Sequence, residues 1–198
     1  MSRKKGNIAN YTSIIATVAT AILAITALIT VYITLSAWRE EREANRPYFT
    51  FYDSPAVVFN SESPQFEIKF TNVGEHPAVD LWSKSLVFNT NLKEKPIAED
   101  EYALVNDIPK NASATLMIGL GQIEKQAHEG NVEPQFIVIV LRYQDPIINE
   151  KFEQTLYVRW NGMQKGKVLP TTHAEEEEKK IILQYFERIR FNGVSIPE

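Results

Sequence analysis

The chain has 198 residues, with 21 Lys and Arg against 25 Asp and Glu and no cysteine, which excludes a disulfide-pinned antibody-type domain while suiting either redox compartment. Three of the basic residues precede the first apolar run, so the remainder carries 18 basic against 25 acidic residues and a net charge of −7. That balance argues against nucleic acid and anionic lipid surfaces as main partners, because both need concentrated positive charge.

A basic tail, residues 1–10, opens the chain. No charged side chain then occurs between Lys5 and Arg39, and Ile14 to Leu35 is almost wholly apolar or small. A bilayer core needs about 20 such residues, so residues 11–38 read as a single transmembrane helix whose first partner is the lipid bilayer. Two alternatives fit worse. A secretory apolar region is about half as long and ends at a small-x-small cleavage site, whereas this run leaves through Leu35-Ser36-Ala37-Trp38-Arg39. A soluble core helix would show a polar face; this one offers only Thr and Ser, whose hydroxyls can bond back to the helix's own carbonyls. Tyr11, Tyr32 and Trp38 fall near the ends, where aromatic rings with one polar edge favour the headgroup layer. Arg3, Lys4 and Lys5 balance Arg39, Arg42 and Arg46 in number, but only the upstream set is unopposed by glutamates. This tilts the reading towards an inside N-terminus and an outer (periplasmic or extracellular) domain. Along the span Ser13, Thr20, Ala27 and Thr34 recur every seven residues, with Thr17, Ala24 and Val31 four after them. Such a small, hydroxylated seam predicts helix contact through Ser13, Thr17, Thr20, Ala24 and Ala27 in a homo-oligomer. Against this, Ala16, Ala19 and Ala21 lie off the seam and are small as well.

Residues 39–46 predict a short charged continuation of the helix, stopped by Arg46-Pro47 because the residue before a proline avoids helical geometry. From residue 47 to 169 the hydrophobic period becomes two. Gln65 to Thr71 and Lys151 to Trp160 alternate cleanly, as strands with one wet and one buried face do. Phe136 to Tyr143 is apolar on both faces and β-branched, the pattern of a strand inside a packed sheet. Tyr48 to Asp53, Ala78 to Phe88, Glu101 to Val105 and Ala112 to Leu120 are weaker strands. Asn72-Val73-Gly74, Glu129-Gly130-Asn131, Asp145-Pro146 and Asn161-Gly162 punctuate them, the last predicting a two-residue hairpin. About seven short strands at this spacing predict a mainly β fold, an antiparallel β-sandwich.

In Asn72-Val73-Gly74-Glu75-His76-Pro77-Ala78 the glycine permits a positive φ and the proline fixes the return, so the segment reads as a tight inter-strand connection rather than a binding loop. An apolar anchor, then Arg46-Pro47-Tyr48, then this Asn-Val-Gly-x-x-Pro-Ala run resembles a group of bacterial and phage single-pass membrane proteins of no assigned activity. The resemblance spans the anchor and the first half of the domain, and implies an immunoglobulin-like sandwich.

Residues 170–198 change period again. Thr172 with Glu175 suggests a capping box, Glu175 to Glu178 load the first turn, Arg188 and Arg190 the last, and Asn192-Gly193 ends it. Ile182, Tyr185, Phe186 and Ile189 form one apolar stripe. It either packs on the chain's own sandwich or binds a partner's groove.

No nucleotide loop, nucleophile elbow or His-Glu-x-x-His occurs. Gly119-Leu120-Gly121 is too short to cradle phosphate, since Glu124 stands where a third glycine would fall. His76, His128 and His173 lack a second ligand at metal spacing, and His173 with Glu176 and Glu177 reads as a solvated acidic turn. The carboxylate clusters at Glu99-Asp100-Glu101 and Glu175 to Glu178 lie in polar surroundings. A general acid needs a carboxyl raised by burial, so neither is expected to serve as one. The expectation is therefore no enzyme, no cofactor and no metal. It is a membrane-anchored interaction module, an accessory or scaffold subunit of a membrane or envelope assembly, bound to an unidentified protein. One alternative is a membrane-tethered hydrolase or sugar-processing enzyme, which requires a pocket gathering a histidine with Asp80, Asp107 or Asp145. Another is a phage-exclusion or immunity protein, again a binder.

Overall fold

The computed structural model describes residues 3–59, 64–93, 95–104 and 106–189, with side chains from residue 14 onward. The chain forms two compact units, Met1–Asn45 and Arg46–Glu198.

The first unit is one helix, α1 (Arg3–Ala44), which continues without a break through the charged segment after the span. Ile14–Ala44 is long and apolar enough to cross a membrane by length and composition. The hydroxyls of Thr20, Thr26, Thr30 and Thr34 each donate to the carbonyl four residues back, at 2.8 to 2.9 Å. Their polarity is thereby satisfied inside the helix, which makes four threonines tolerable in hydrocarbon. At the far end the Arg42 guanidinium lies 3.6 Å from the Trp38 ring centroid, and Arg46-Pro47 ends the helix as expected.

The second unit is a sandwich of two antiparallel sheets. In the first, β3 (Pro64–Asn72) is central. Its one side pairs with β6 (Ser113–Gly119) from Gln65↔Gly119 to Thr71↔Ser113. Its other side pairs with the short β1 (Phe49–Phe51) and β2 (Ala56–Phe59). The second sheet takes β4 (Val79–Asn89), β5 (Ala98–Leu104), β7 (Gln135–Asp145), β8 (Glu150–Trp160) and β11 (Thr171–His173) in the order β11-β8-β7-β4-β5. Of the expected strand Glu101 to Val105, Val105 lies outside the described residues. Phe66, Ile68, Phe70, Leu116 and Ile118 from the first sheet meet Val87, Ile137, Ile139, Leu141, Val158 and Trp160 from the second in one buried core.

The two-faced apolarity of β7 has a direct cause. Its odd residues enter the inter-sheet core, while Phe136, Val138 and Val140 face outward with Leu86 and Phe88 of β4. That outer patch is covered by α3 (Glu176–Ile189) through Ile182, Tyr185 and Phe186. The packing alternative for the apolar stripe is therefore the one realised: these three side chains are core, and only Ile189 is exposed.

Two local expectations are displaced. Asn161-Gly162 makes no two-residue hairpin. The pairing of Thr171 with Trp160 runs on through β9 (Met163–Gln164) and β10 (Lys167–Val168) to Lys167↔Gln164, so the turn is Lys165-Gly166. Both turn residues have positive φ, 51° and 78°, as the primed turns that suit strand twist require. Gly162 is needed for space, since a Cβ there would overlap the Val132 carbonyl oxygen. The second displacement is the start of α3. Thr172 pairs with Arg159 in β11, and the cap lies three residues later, where the Glu178 carboxylate accepts from the Glu175 N–H at 2.9 Å. This is the N3-to-cap half of a capping box. Between β6 and β7 a turn leads into the one-and-a-half-turn α2 (Glu124–His128). Arg190 and Asn192-Gly193 lie outside the described residues.

Candidate functional site

The densest buried polar constellation forms where the chain comes into the sandwich. Asn72, the last residue of β3, is fully buried and uses all its hydrogen-bonding capacity. Its Oδ1 accepts from the N–H groups of Tyr48 (3.2 Å) and Gly74 (3.0 Å), and its Nδ2 donates to the carbonyls of His76 (2.8 Å) and Ile108 (3.1 Å). One side chain thus ties the lead-in segment, the β3–β4 loop and the segment before β6. A Cβ on Gly74 would overlap the Arg46 carbonyl oxygen and crowd Pro47, so the glycine is fixed by close approach and not by a positive φ. Tyr143 Oη donates to the Pro47 carbonyl at 2.9 Å. Gln154 brackets Phe49, accepting from its N–H and donating to its carbonyl. Burial pushes the Tyr143 phenol up to about 12, against the opposing pull of the Arg46 charge.

His76 and Asp145 meet beside this clamp, Nδ1 to Oδ2 at 2.6 Å. Asp145 is fully buried, and its Oδ1 accepts from the N–H groups of Ile147 (2.8 Å) and Ile148 (3.3 Å), closing the β7–β8 turn. The carboxylate is therefore committed to fixing a turn and orienting an imidazole. No hydroxyl nucleophile hydrogen-bonds the His76 ring among the described residues. A cleft of about 390 Å³ opens nearby, lined by Asp80, Arg142, Tyr143, Gln144, Lys151, Phe152 and Glu153, and His76 is not part of it. Asp80 sits there at φ 52°, in the bulge that shifts β4 against β7 between Val79 and Trp82. Arg142 pairs with Glu153 at 2.7 Å and stacks 5.0 Å from the Trp82 ring centroid.

Of the residues expected to carry function, Thr17, Thr20, Ala24 and Ala27 are exposed on α1, with the Thr20 hydroxyl donating to the Ala16 carbonyl; the Ser13 side chain lies outside those described. Asp107 is exposed and takes no part in the histidine contact. Among the described residues no group of three His, Asp or Glu is placed to hold a metal. Tyr143 and Gln154 were not legible as clamp residues, because the two-faced apolar run that holds Tyr143 and the alternation that holds Gln154 each explain the residue without a partner. Asn72 carried a signal, an asparagine just before a Val-Gly turn, but the turn masked its four-way role.

A family profile described as a domain of unknown function (DUF8453) matches residues 13–164, which is most of the span and nearly all of the sandwich. The chain belongs to the DUF8453 family. No curated protein matches it. Among solved structures, a Northeast Structural Genomics Consortium target, SoR45, is 14% identical with a TM-score of 0.35, covering 68% of this DUF8453 chain and 97% of its own. A protein from Archaeoglobus fulgidus is 8% identical with a TM-score of 0.33, covering 66% and 96%. DesR, a β-glucosidase from Streptomyces venezuelae, is 11% identical with a TM-score of 0.28, covering 65% of this chain but 15% of the enzyme. At these scores the likenesses are too weak to define a shared fold.

Proposed function

We propose that the protein is a membrane-anchored interaction module, an accessory or scaffold subunit of a membrane or envelope assembly, with α1 as its span and the sandwich as its binding body. The observation that carries this reading is where the buried and half-buried polar groups are spent. Asn72, Tyr143, Gln154 and Asp145 all pin backbone at the residues that follow the helix, Pro47 to Phe49, or at the loops beside them. Buried hydrogen bonds of this kind fix a unique geometry, and each costs free energy if left half-made. A sandwich whose own first residues are pinned to its strands and loops suits display of a surface to a neighbour. Resemblance of the anchor and the Asn-Val-Gly-x-x-Pro-Ala loop to bacterial and phage single-pass proteins supports the same class. The unopposed Arg3, Lys4 and Lys5 favour an inside N-terminus and a domain outside.

The contact between His76 and Asp145 is the observation favouring a hydrolase. It weighs less, because Asp145 already serves two backbone N–H groups and the cleft excludes His76.

Two measurements test the proposal. Ser195→Cys in this cysteine-free chain should react with an impermeant maleimide in intact cells; reaction only after lysis reverses the orientation. Crosslinking in intact cells should give a discrete heterologous adduct of the full chain whose yield saturates as expression rises. A chain found only as monomer under those conditions sinks the subunit reading.

A further inference from the structure

Among the described residues, the sandwich has one long strand edge that none of the usual devices protects. Natural edges carry charge, proline, shortness or a cover, because their free N–H and C=O groups template another strand. The β5 edge carries Glu99, Asp100 and Glu101, β1 and β2 are three and four residues long, and β11 is three. Beside β11, the Gln154 side chain caps the β8 flank against Phe49. By contrast β6 is seven residues, Ser-Ala-Thr-Leu-Met-Ile-Gly, without charge or proline. Asn72 N–H donates to Ala112 and Leu120 N–H to Pro64, so the even residues between them face β3. Antiparallel alternation then turns the N–H and C=O of Ser113, Thr115, Met117 and Gly119 outward. No backbone partner meets those groups among the described residues.

A second, independent feature lies across the flank from β6. On β5, Asp100 and Tyr102 stand opposite Ser85 and Ser83 of β4, on the face shared with the inter-sheet core. Asp100 is half-buried and has no ion-pair or hydrogen-bond partner among the described residues. Ser85 opposite it is 1% exposed, and its hydroxyl is likewise without a hydrogen bond. A half-buried carboxylate above a buried hydroxyl that makes no bond to it is an acceptor suited to a cationic donor arriving at the flank.

We propose that the flank between β5 and β6 receives an extended strand of a partner protein, which continues the four-stranded sheet along β6 and sets an inward lysine or arginine against Asp100. This is strand addition, with main-chain bonds supplying affinity and alternate side chains supplying choice. A second copy is the poorer occupant, since β6 itself has no basic residue to offer Asp100. The inference rests on the interaction-module reading and names its surface.

The test uses the full chain in detergent and a fluorescent, end-blocked peptide of sequence TVTKTVT, whose Val, Lys and Val fall on one face of a strand. Binding is read by anisotropy. The peptide should bind saturably, and its Glu counterpart, TVTETVT, about tenfold more weakly. Asp100→Asn should erase that preference. Thr115→Pro removes one outward N–H without touching the β3 ladder, and should abolish binding while the thermal transition stays in place; Met117→Pro serves if that variant unfolds. Equal binding of the two peptides, or binding untouched by both proline variants, overturns the proposal. Dimerisation that the proline variants block, without peptide binding, overturns the choice of occupant. If the crosslinked adduct in cells survives Thr115→Pro while the peptide fails to bind, the strand site falls and the interaction module stands.

Discussion

At the scale of single residues, the junction clamp explains why a short motif matters. Removing Asn72 takes the partner from two half-buried N–H groups, one half-buried carbonyl and the buried carbonyl of Ile108. A polar group left unpaired costs about 1 to 3 kcal/mol when buried and less where water reaches it, so Asn72→Ala should lower stability by roughly 2 to 3 kcal/mol in denaturant titration. Loss of less than about 1 kcal/mol would mean that water replaces the side chain. Tyr143 offers a sharper check. Its phenol titrates at about 12 in the folded protein, chiefly through burial, and near 10 in an unfolded chain. The folded state therefore keeps the proton longer. The associated stability is complete below pH about 10 and is lost as pH rises through about 12. Tyr157 and Tyr185 are raised by burial too and act in the same direction. Tyr143→Phe should cost about 1 kcal/mol at neutral pH through the lost bond to Pro47, yet show a shallower decline in alkali. A parallel decline in variant and parent would remove Tyr143 from the account.

At the scale of elements, the sequence was most legible where one periodicity had one cause. The alternation of Gln65 to Thr71 is β3, and the run from Phe136 to Tyr143 is the central β7 because it faces two cores. Legibility failed where two signals of equal local strength competed. Asn161-Gly162 has ideal hairpin composition, but Gly162 is held by the approach of Val132, and the unremarkable Lys165-Gly166 makes the turn. Thr172 likewise has a good cap side chain, but pairing with Arg159 in β11 claims its backbone first. The two glycines can be told apart by substitution. Gly166→Ala meets open space and bears only its positive φ, worth about 1 to 2 kcal/mol, whereas Gly162→Ala adds the overlap with Val132 and should cost clearly more. Equal costs would return the turn to residues 161 and 162. The candidate site was half legible for a related reason: the pattern of Ala112 to Leu120 predicts a strand, but which strands lie at an edge is a property of the sheet order. The apolar stripe of α3 was legible as a stripe, and its cover could be learned only from the register that brings Leu86, Phe88, Phe136, Val138 and Val140 to one face. Phe186→Ala should cost about 3 to 5 kcal/mol, as buried core does; an unchanged midpoint would reopen binding by that face.

At the scale of the whole molecule, the two units place different demands on solvent. Residues of α1 expose Ile14, Ile15, Leu23, Leu28, Val31 and Ile33 all round the helix, a surface that water does not tolerate over this length and hydrocarbon does. The sandwich closes its own core between two sheets and a second one under α3. Its ionic groups pair across strands, as Lys84 does with Glu101 and Glu99, bonds that raise the lysine's pKa. Fractionation of the membrane separates a span from a cleaved signal. If α1 is a span, the chain keeps its N-terminus and stays with the membrane through salt and urea washes at neutral pH. The wash must be neutral because alkali also loosens the sandwich through its buried tyrosines. The piece from Arg46 onward, expressed alone, should then be soluble and unfold at the same midpoint as the full chain in detergent, because the junction clamp of Asn72, Gly74 and Tyr143 lies wholly within it. A mature protein beginning near Ala37 and released by washing would make α1 a signal. A fragment that unfolds well below the full chain would instead mean that the helix contributes to the sandwich's stability.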